Sequence, residues 1–408
     1  MASVRAARCE PTGEQYRFRG RSRHTAIAIA LAVCWPLLLP CVSFAQTTQP
    51  SPWFTRVGFA PAYVVAANPF SLSGVPADRQ VRSTPSFNFE IGRQTDGSRD
   101  WHHLYGMPSY GFGMSVASLG SGGVSRPMDA YTFFSWPFVR PSERVQLTTD
   151  FGMGLSWNWK AFNPRTNSYT TVLGSDLNAR IDWGVYVRYA LTRQTSMYAG
   201  FDFTHRSNGG MRQPDQGINV IGPSVSLRHN MGGREPSPLA LKDLPAFRPE
   251  WEFVVGGTGG PKNVFDEMHG DARNDYGTVS ATAALQRHFY RYGKIALGTD
   301  VMYDGSTGAQ FDVVNGAFVS RRADFGKRVA TGFYGGYEHV IGRFGAIVQV
   351  GYKVASGFDD GSTPRRYERY GWRYHFNDHL WGTFAVRAVA DRKADALEFG
   401  LGYRTRWR

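Results

Sequence analysis

A histidine and a serine lie two positions apart in the segment FDFTHRSNGGMRQPDQGIN, residues 201–219. Alternate side chains of a β-strand share a face, so His205 and Ser207 would stand side by side with Cα atoms about 7 Å apart. A serine hydroxyl becomes an effective nucleophile when an imidazole takes its proton and a third polar group fixes the tautomer of the ring. The pattern therefore predicts an ester-hydrolysing pair, although an interfacial histidine beside a strand-end hydroxyl would have the same spacing.

The turn after the serine and the start of the next strand offer further groups for this chemistry. Asn208, Gly209 and Gly210 provide backbone N–H groups and an amide side chain that could hold an oxyanion. Asn219 begins the next segment and can lie beside the pair. The sequence predicts a compact polar site built from one strand end, one loop and one strand start.

The side chains that share a strand face with His205 and Ser207, which we call a column, are apolar. The odd positions before His205 are hydrophobic, and so are those after Asn219: Met197, Ala199, Phe201, Phe203, Ile221, Pro223, Val225 and Leu227. An apolar column on an otherwise alternating strand indicates a surface that faces lipid. Polar groups on that surface are costly unless they have a function. We therefore expect His205 and Ser207 to face the membrane at the extracellular end of the strand.

The rest of the chain repeats this alternating pattern. Aromatic and glycine-rich segments of about ten residues recur between turns, as transmembrane β-barrels require. No stretch after residue 45 approaches the roughly 18 apolar residues of a spanning helix. The fold class predicted is an all-β, antiparallel, up-and-down transmembrane barrel rather than a soluble sandwich. Sixteen strands are expected near 53–66, 83–92, 109–119, 129–139, 146–159, 175–189, 196–207, 218–229, 249–257, 277–290, 293–304, 329–340, 343–354, 366–376, 380–390 and 395–407.

The chain is expected to reach the outer membrane through secretion. Residues 1–45 combine six arginines, the apolar run AIAIALAVCWPLLLP and small residues before Gln46, which is typical of a cleaved signal peptide. All three cysteines lie in this segment, which argues against disulfide or thiol chemistry in the mature chain. Removing its six basic and two acidic residues leaves 40 basic and 31 acidic residues, a net charge of +9. In this compartment the charge favours an anionic membrane surface over nucleic acid.

A Pro-rich spacer, residues 231–248, divides the predicted strands eight and eight. The expected organisation is therefore a signal peptide at 1–45, a barrel portion at 46–230, the spacer, and additional strands at 249–408. One sixteen-stranded barrel and two eight-stranded units both satisfy the pattern, and we favour the single barrel. A non-enzymatic, porin-like channel or an adhesive barrel is an alternative function, since sixteen strands would enclose a water-filled lumen.

The stretch FTHRSNGGMRQPDQGIN resembles the active-site region of the outer-membrane lipid A 3-O-deacylases, the PagL-like acyloxyacyl hydrolases. The resemblance extends through WHHLYGMPSYGFGM, FNPRTNSY and GSDLNARIDWGVYVRYALT, and so covers about residues 85–230. It implies an eight-stranded barrel with its active site on the lipid-exposed wall, and an enzyme that removes an ester-linked acyl chain from lipid A. The second half of the chain, from about residue 235, lies outside this motif.

Carried onto this sequence, the resemblance implies Ser207 as nucleophile, His205 as general base, and Asn208 as an oxyanion residue. The sequence departs from the best-known members at Asn219, where they have a glutamate. An asparagine can orient the ring but cannot offset the charge of an imidazolium, and Asp215 is the alternative orienting residue.

Lipid A and outer-membrane lipid are the expected partners, nucleic acid is not, and a homodimer is left open. No metal or organic cofactor is implied. Basic residues on or near the predicted outer loops could meet the phosphates of lipopolysaccharide: Lys160, Arg165, Arg206, Arg212, Arg365, Arg366 and Arg369.

Overall fold

The computed structural model describes residues 52–65, 81–119, 126–163, 165–168, 172–232, 241–266, 272–314, 317–358, 364–389 and 393–407. The predicted signal peptide lies outside the described residues, as does part of the Pro-rich spacer. Within the described ranges, no helix combines the length and apolarity needed to span a membrane.

The first eight strands close into an antiparallel barrel in which β1 pairs with both β2 and β8. Their residues alternate between an apolar outer wall and a polar interior, which is the period-two pattern of a half-buried strand. The strands are β1 Trp53–Val64, β2 Ser83–Gln94, β3 Ser109–Ala117, β4 Met128–Val139, β5 Val145–Trp157, β6 Asn178–Ala190, β7 Thr195–Ser207 and β8 Ile218–Asn230. A short helix, α1 (Asp100–Leu104), interrupts the link between β2 and β3.

A second closed barrel follows, in which β18 returns to pair with β9. Its strands are β9 Glu250–Asp266, β10 Ala272–Tyr290, β11 Gly293–Asp304, β14 Val329–Ile341, β15 Phe344–Ser356, β16 Arg366–His375, β17 Leu380–Val389 and β18 Lys393–Trp407. The loop after β11 contains a separate hairpin, β12 Gln310–Val314 with β13 Ala317–Arg321, followed by a 3-10 turn at Phe325–Arg328.

All sixteen predicted barrel strands are present, and the predicted fold class is confirmed. The favoured single barrel is wrong, because β8 pairs with β1 instead of continuing into β9. Strand alternation is the same in both arrangements, so the pattern could not decide between them. The hairpin of β12 and β13 was not predicted. Strands β9 and β10 also run beyond the predicted 249–257 and 277–290, because β9 continues to Asp266 and β10 begins at Ala272.

The interiors of both barrels are filled by buried ion pairs. In the first barrel Arg56 contacts Glu90 at 2.5 Å and Asp150 at 2.6 Å. In the second, Lys294 contacts Glu252 at 3.0 Å and Arg369 contacts Glu398 at 2.5 Å. An eight-stranded barrel is just wide enough for side chains to fill it. The sixteen-stranded, water-filled pore on which the channel alternative depended is therefore not the observed structure.

The two barrels are in contact at several points. Tyr105 follows α1 directly in the chain. Its hydroxyl donates to the carbonyl oxygen of Val340 at 2.8 Å and lies 2.9 Å from Nε2 of His339. On the outer walls, the rings of Phe151 and Trp372 lie 5.1 Å apart between centroids. The link between β2 and β3, which contains α1, therefore leads into a contact with the second barrel.

Candidate active site

The register of β7 and β8 brings the predicted polar residues together. The two strands are antiparallel, and His205 lies directly opposite Asn219. Side chains of β7 alternate as predicted: Tyr198 and Arg206 are buried in the interior, whereas Phe201 on the other face is 65% exposed. His205, Ser207 and Asn219 belong to this outward column and are half-buried. The outward direction predicted for the pair is therefore observed.

A continuous line of hydrogen bonds joins these three side chains. His205 Nδ1 lies 2.6 Å from Oδ1 of Asn219, and His205 Nε2 lies 2.9 Å from Oγ of Ser207. An amide oxygen only accepts, so Nδ1 carries the ring proton and Nε2 presents its lone pair to the Ser207 hydroxyl. This tautomer allows the imidazole to remove the serine proton. The arrangement is that of a nucleophile, a base and an orienting residue.

Gly217 leaves the space that the imidazole of His205 occupies. Its backbone has φ of +70°, which favours glycine, and a Cβ there would lie 2.7 Å from Cε1 of His205. Sequence reasoning missed this residue. The available signal was a glycine two residues before Asn219, at the end of the loop that joins the two strands.

The loop between β7 and β8, residues 208–217, is organised around Asp215. The carboxylate of Asp215 accepts the backbone N–H of Asn208 at 3.1 Å and that of Gly210 at 3.0 Å, and the N–H of Gly209 also donates to it. Gly209 and Gly210 have φ of +66° and +84°, which lets successive N–H groups converge on one anion. The backbone N–H groups of Asn208, Gly209 and Gly210 therefore form an anion-binding site, or nest, which the carboxylate of Asp215 occupies.

This geometry corrects two predictions. Asp215 does not orient the imidazole, because the two ring nitrogens of His205 meet Asn219 and Ser207. The backbone N–H groups of Asn208 and Gly209 are engaged by Asp215 instead of standing open to a substrate oxyanion. The Asn208 side chain donates one of its two amide hydrogens to the carbonyl oxygen of Arg212 at 2.8 Å. The second amide hydrogen is not used in this bond.

Burial raises the pKa of Asp215 to about 6, and the N–H groups of the loop oppose this shift. Since the folded pKa lies above the ordinary value of 3.8, the charge costs more in the folded chain than in the unfolded one. The stability that this group contributes is present below about pH 4 and is lost as the pH rises through about 6. At neutral pH Asp215 is ionised and accepts the three N–H groups.

Replacement of Asp215 by alanine is expected to loosen this loop. The amides of Asn208 and Gly210 lose an ionised acceptor, so their hydrogen exchange should accelerate by about tenfold or more. Hydrogen–deuterium exchange of peptides covering 207–214 at neutral pH measures the effect. Asp176→Ala, which removes an exposed carboxylate from the loop before β6, is the matched control. Unchanged exchange in Asp215→Ala would contradict the assigned nest.

The predicted phosphate-binding cations separate into two groups. Five are exposed: Lys160, Arg165, Arg212, Arg365 and Arg366. Arg206 and Arg369 instead point into the barrels, where Arg206 contacts Asp129 at 2.8 Å and Arg369 contacts Glu398 at 2.5 Å. These two were predicted wrongly, because each lies on a strand position whose side chain faces the barrel interior, although it is close to a loop in the sequence. Within the described ranges, no cluster of three or more His, Cys, Asp or Glu side chains could hold a metal ion.

Two family models match the chain. The model described as lipid A 3-O-deacylase (PagL) matches residues 85–228, which include β7, the loop and most of β8. The model described as acyloxyacyl hydrolase, C-terminal domain, matches residues 249–407 and thus the whole second barrel. No curated protein sequence is similar enough to the chain to match it. The family match therefore includes the second half of the chain, which lies outside the motif.

Among the solved structures that match the chain are three whose coverage differs. The crystal structure of the outer membrane enzyme PagL is 16% identical and covers 43% of this chain and 98% of its own, with a TM-score of 0.30. Neisserial surface protein A is 12% identical and covers 45% and 99%, also with a TM-score of 0.30. The CymD monoaromatic hydrocarbon channel is 10% identical and covers 88% and 90%, with a TM-score of 0.18.

The sequence motif, the two family matches and the barrel fold agree with one another. They assign the protein to the outer membrane of a Gram-negative bacterium. The chain belongs to the PagL-like acyloxyacyl hydrolases, the family of outer-membrane lipid A 3-O-deacylases.

Proposed function

We propose that this protein is a serine esterase that removes an ester-linked acyl chain from lipid A at the outer wall of its first barrel. The observation that carries the proposal is the hydrogen-bonded line from Asn219 through His205 to Ser207 on the outward column. A hydroxyl, a base and an orienting residue in that order have the geometry of nucleophilic acyl transfer.

In the proposed reaction, Nε2 of His205 takes the proton of Ser207 while Oγ attacks the carbonyl carbon of the ester. The tetrahedral intermediate collapses with loss of the lipid A alcohol, which receives the proton from the imidazolium. Water then attacks the acyl-serine with His205 again acting as base, and the products are a free fatty acid and regenerated Ser207. The second amide hydrogen of Asn208 is the proposed oxyanion donor, since it belongs to the residue directly after the nucleophile.

The surroundings of the site suit a lipid substrate. Phe201 and Ile221 lie on the same outward columns and are 65% and 48% exposed. An acyl chain can therefore remain in hydrocarbon while its ester reaches Ser207. Exposed Lys160, Arg165 and Arg212 on the adjoining loops supply charges for the phosphates of a lipid A headgroup.

Mass spectrometry of lipid A tests this function. Cells that make the protein should yield lipid A lacking one ester-linked acyl chain, and cells with an empty vector should not. In parallel, the purified protein is treated with a fluorophosphonate, which labels activated serines, and the label is located by peptide mapping. We expect it on Ser207. Unmodified lipid A from cells with folded protein, or a label on another serine, would overturn the proposal.

Substitutions of Asn219 test the role of the orienting residue. Asn219→Ala is expected to lower kcat by about 10- to 100-fold, because Nδ1 of His205 loses the acceptor that fixes its tautomer. Asn219→Glu should raise kcat above the wild-type value, since a carboxylate also stabilises the imidazolium. Both are measured as fatty-acid release from purified lipid A in mixed micelles. Wild-type rates in Asn219→Ala would show that the ring needs no such partner.

A further inference from the structure

A two-stranded arm extends from the second barrel. Strand β9 pairs with β18 as far as Gly259 opposite Phe399, and β10 pairs with β11 from Thr278 opposite Asp304. Beyond these points β9 and β10 pair with one another, in the segments 261–266 and 272–277, which we call the arm. Six residues of strand correspond to about 20 Å. Pro261 fits here because it lies where β9 has lost its neighbour β18.

The arm is hydrogen-bonded to the loop of the candidate active site through one residue. The backbone N–H of Asn263 donates to the carbonyl oxygen of Gly210 at 3.2 Å, and the N–H of Gln213 donates to Oδ1 of Asn263 at 3.0 Å. The remaining end of the Asn263 amide donates to Oδ1 of Asp275 at 2.7 Å, on the partner strand of the arm. Asn263 is buried. It therefore joins the loop of one barrel to both strands of the other.

Strand β18 packs on the same loop. Leu397 of β18 is buried, with 4% of its surface exposed. Its side chain lies over Gly209, where a Cβ would stand 2.4 Å from Cδ2 of Leu397. A Cβ on Gly210 would likewise stand 3.1 Å from the carbonyl oxygen of Asp395. The two glycines of the anion nest are therefore covered by the second barrel.

Ion pairs inside the second barrel hold these contact points in place. Lys262, next to Asn263, contacts Asp304 at 2.8 Å and Asp395 at 2.7 Å. Asp395, two residues before Leu397, also contacts Arg387 at 2.9 Å. Lys262 of the arm and Asp395 of β18, which both lie next to the contacted loop, thus belong to one charge cluster. Such a cluster gives the arm and β18 a fixed spacing.

The contacted loop contains the residues that surround the nucleophile. It begins with Asn208, directly after Ser207, and ends with Gly217, under the imidazole of His205. We infer that the C-terminal barrel positions the catalytic loop, with Asn263 and Leu397 as positioning residues that act through Gly209, Gly210 and Gln213. This inference rests on the proposed function, and extends it by assigning a role to the second barrel.

The test uses the full-length protein with Asn263→Ala. Loss of the Gln213 contact should raise hydrogen exchange in peptides covering 208–214. It should also lower kcat about tenfold and leave KM within about twofold of the wild-type value, because the loop is displaced without loss of substrate contacts. Leu397→Ala should have the same effects by uncovering Gly209. Asn274→Ala is the matched control, since Asn274 lies on the same arm but meets Asn263 through its backbone carbonyl.

Folding of each variant is checked by the heat-modifiable mobility of its barrels on gels. Wild-type exchange at 208–214 together with wild-type kcat in both variants would overturn the inference. If the wild-type protein releases no acyl chain, the proposed function fails, and the exchange measurement decides alone whether the second barrel holds this loop. If kcat falls equally in Asn263→Ala and in the control Asn274→Ala, the inference is also overturned, since such a fall would not depend on the contact between Asn263 and the loop.

Discussion

Ser207→Ala is expected to abolish acyl-chain release, with a fall in kcat of at least about 10⁴-fold. The Oγ atom that lies 2.9 Å from Nε2 of His205 is the only atom removed by the substitution. Without it no acyl-enzyme can form, and only unassisted attack by water remains. Release of fatty acid from lipid A in mixed micelles measures the rate, and the fluorophosphonate label should be lost at the same time.

Thr195→Ala is a closely matched control for this experiment. Thr195 lies at the opposite end of β7 in the same outward column, and its hydroxyl is 3.1 Å from Nδ1 of His229 on β8. The control therefore removes a hydroxyl that also contacts a histidine on the same pair of strands. It should keep wild-type activity. Activity in Ser207→Ala equal to that of Thr195→Ala would rule out Ser207 as nucleophile.

His205→Ala is expected to lower kcat by about 10³- to 10⁴-fold, because the Ser207 hydroxyl loses its base and the leaving alcohol loses its proton donor. The double variant, His205→Ala with Ser207→Ala, should be no slower than Ser207→Ala alone, since the two residues act as a unit. The same micellar assay compares all three proteins.

The corresponding control is His229→Ala, which removes the imidazole from the opposite end of the same strand pair. Wild-type activity is expected there. Independent effects that multiply in the double variant would contradict a shared mechanism for His205 and Ser207. Increased activity of His205→Ala at higher pH, where hydroxide can replace the base, would agree with the proposed role.

The orienting asparagine distinguishes this site from the pattern that the resemblance implied. Asn219 reaches the imidazole at 2.6 Å, a distance at which a carboxylate would also interact. An amide fixes the tautomer without supplying charge, so His205 has only an uncharged partner when it becomes positive. We therefore expect a slower enzyme than one with glutamate at this position, and Asn219→Glu measures the difference directly.

The amino-acid sequence by itself determined the local features of this protein. Period-two alternation identified the sixteen barrel strands, because the direction of a side chain depends on its position along the strand. The same parity directed His205 and Ser207 outward. Their two-residue spacing brought them within reach of one another, and the apolar column that follows Asn219 in the next strand indicated that Asn219 can lie beside them. These relations involve residues close together in the chain.

Only the tertiary structure decided the features that depend on distant residues. Whether β8 pairs with β1 or continues into β9 does not alter the alternation of either strand, so the number of barrels was not encoded locally. The burial of Leu397 and the bonding of Asn263 to Gln213 depend on contact between two closed barrels. Asp215 serves the loop amides instead of the imidazole because two glycines with positive φ turn those N–H groups toward it. Contacts of this kind arise when separate elements pack together, and no spacing along the chain specifies them.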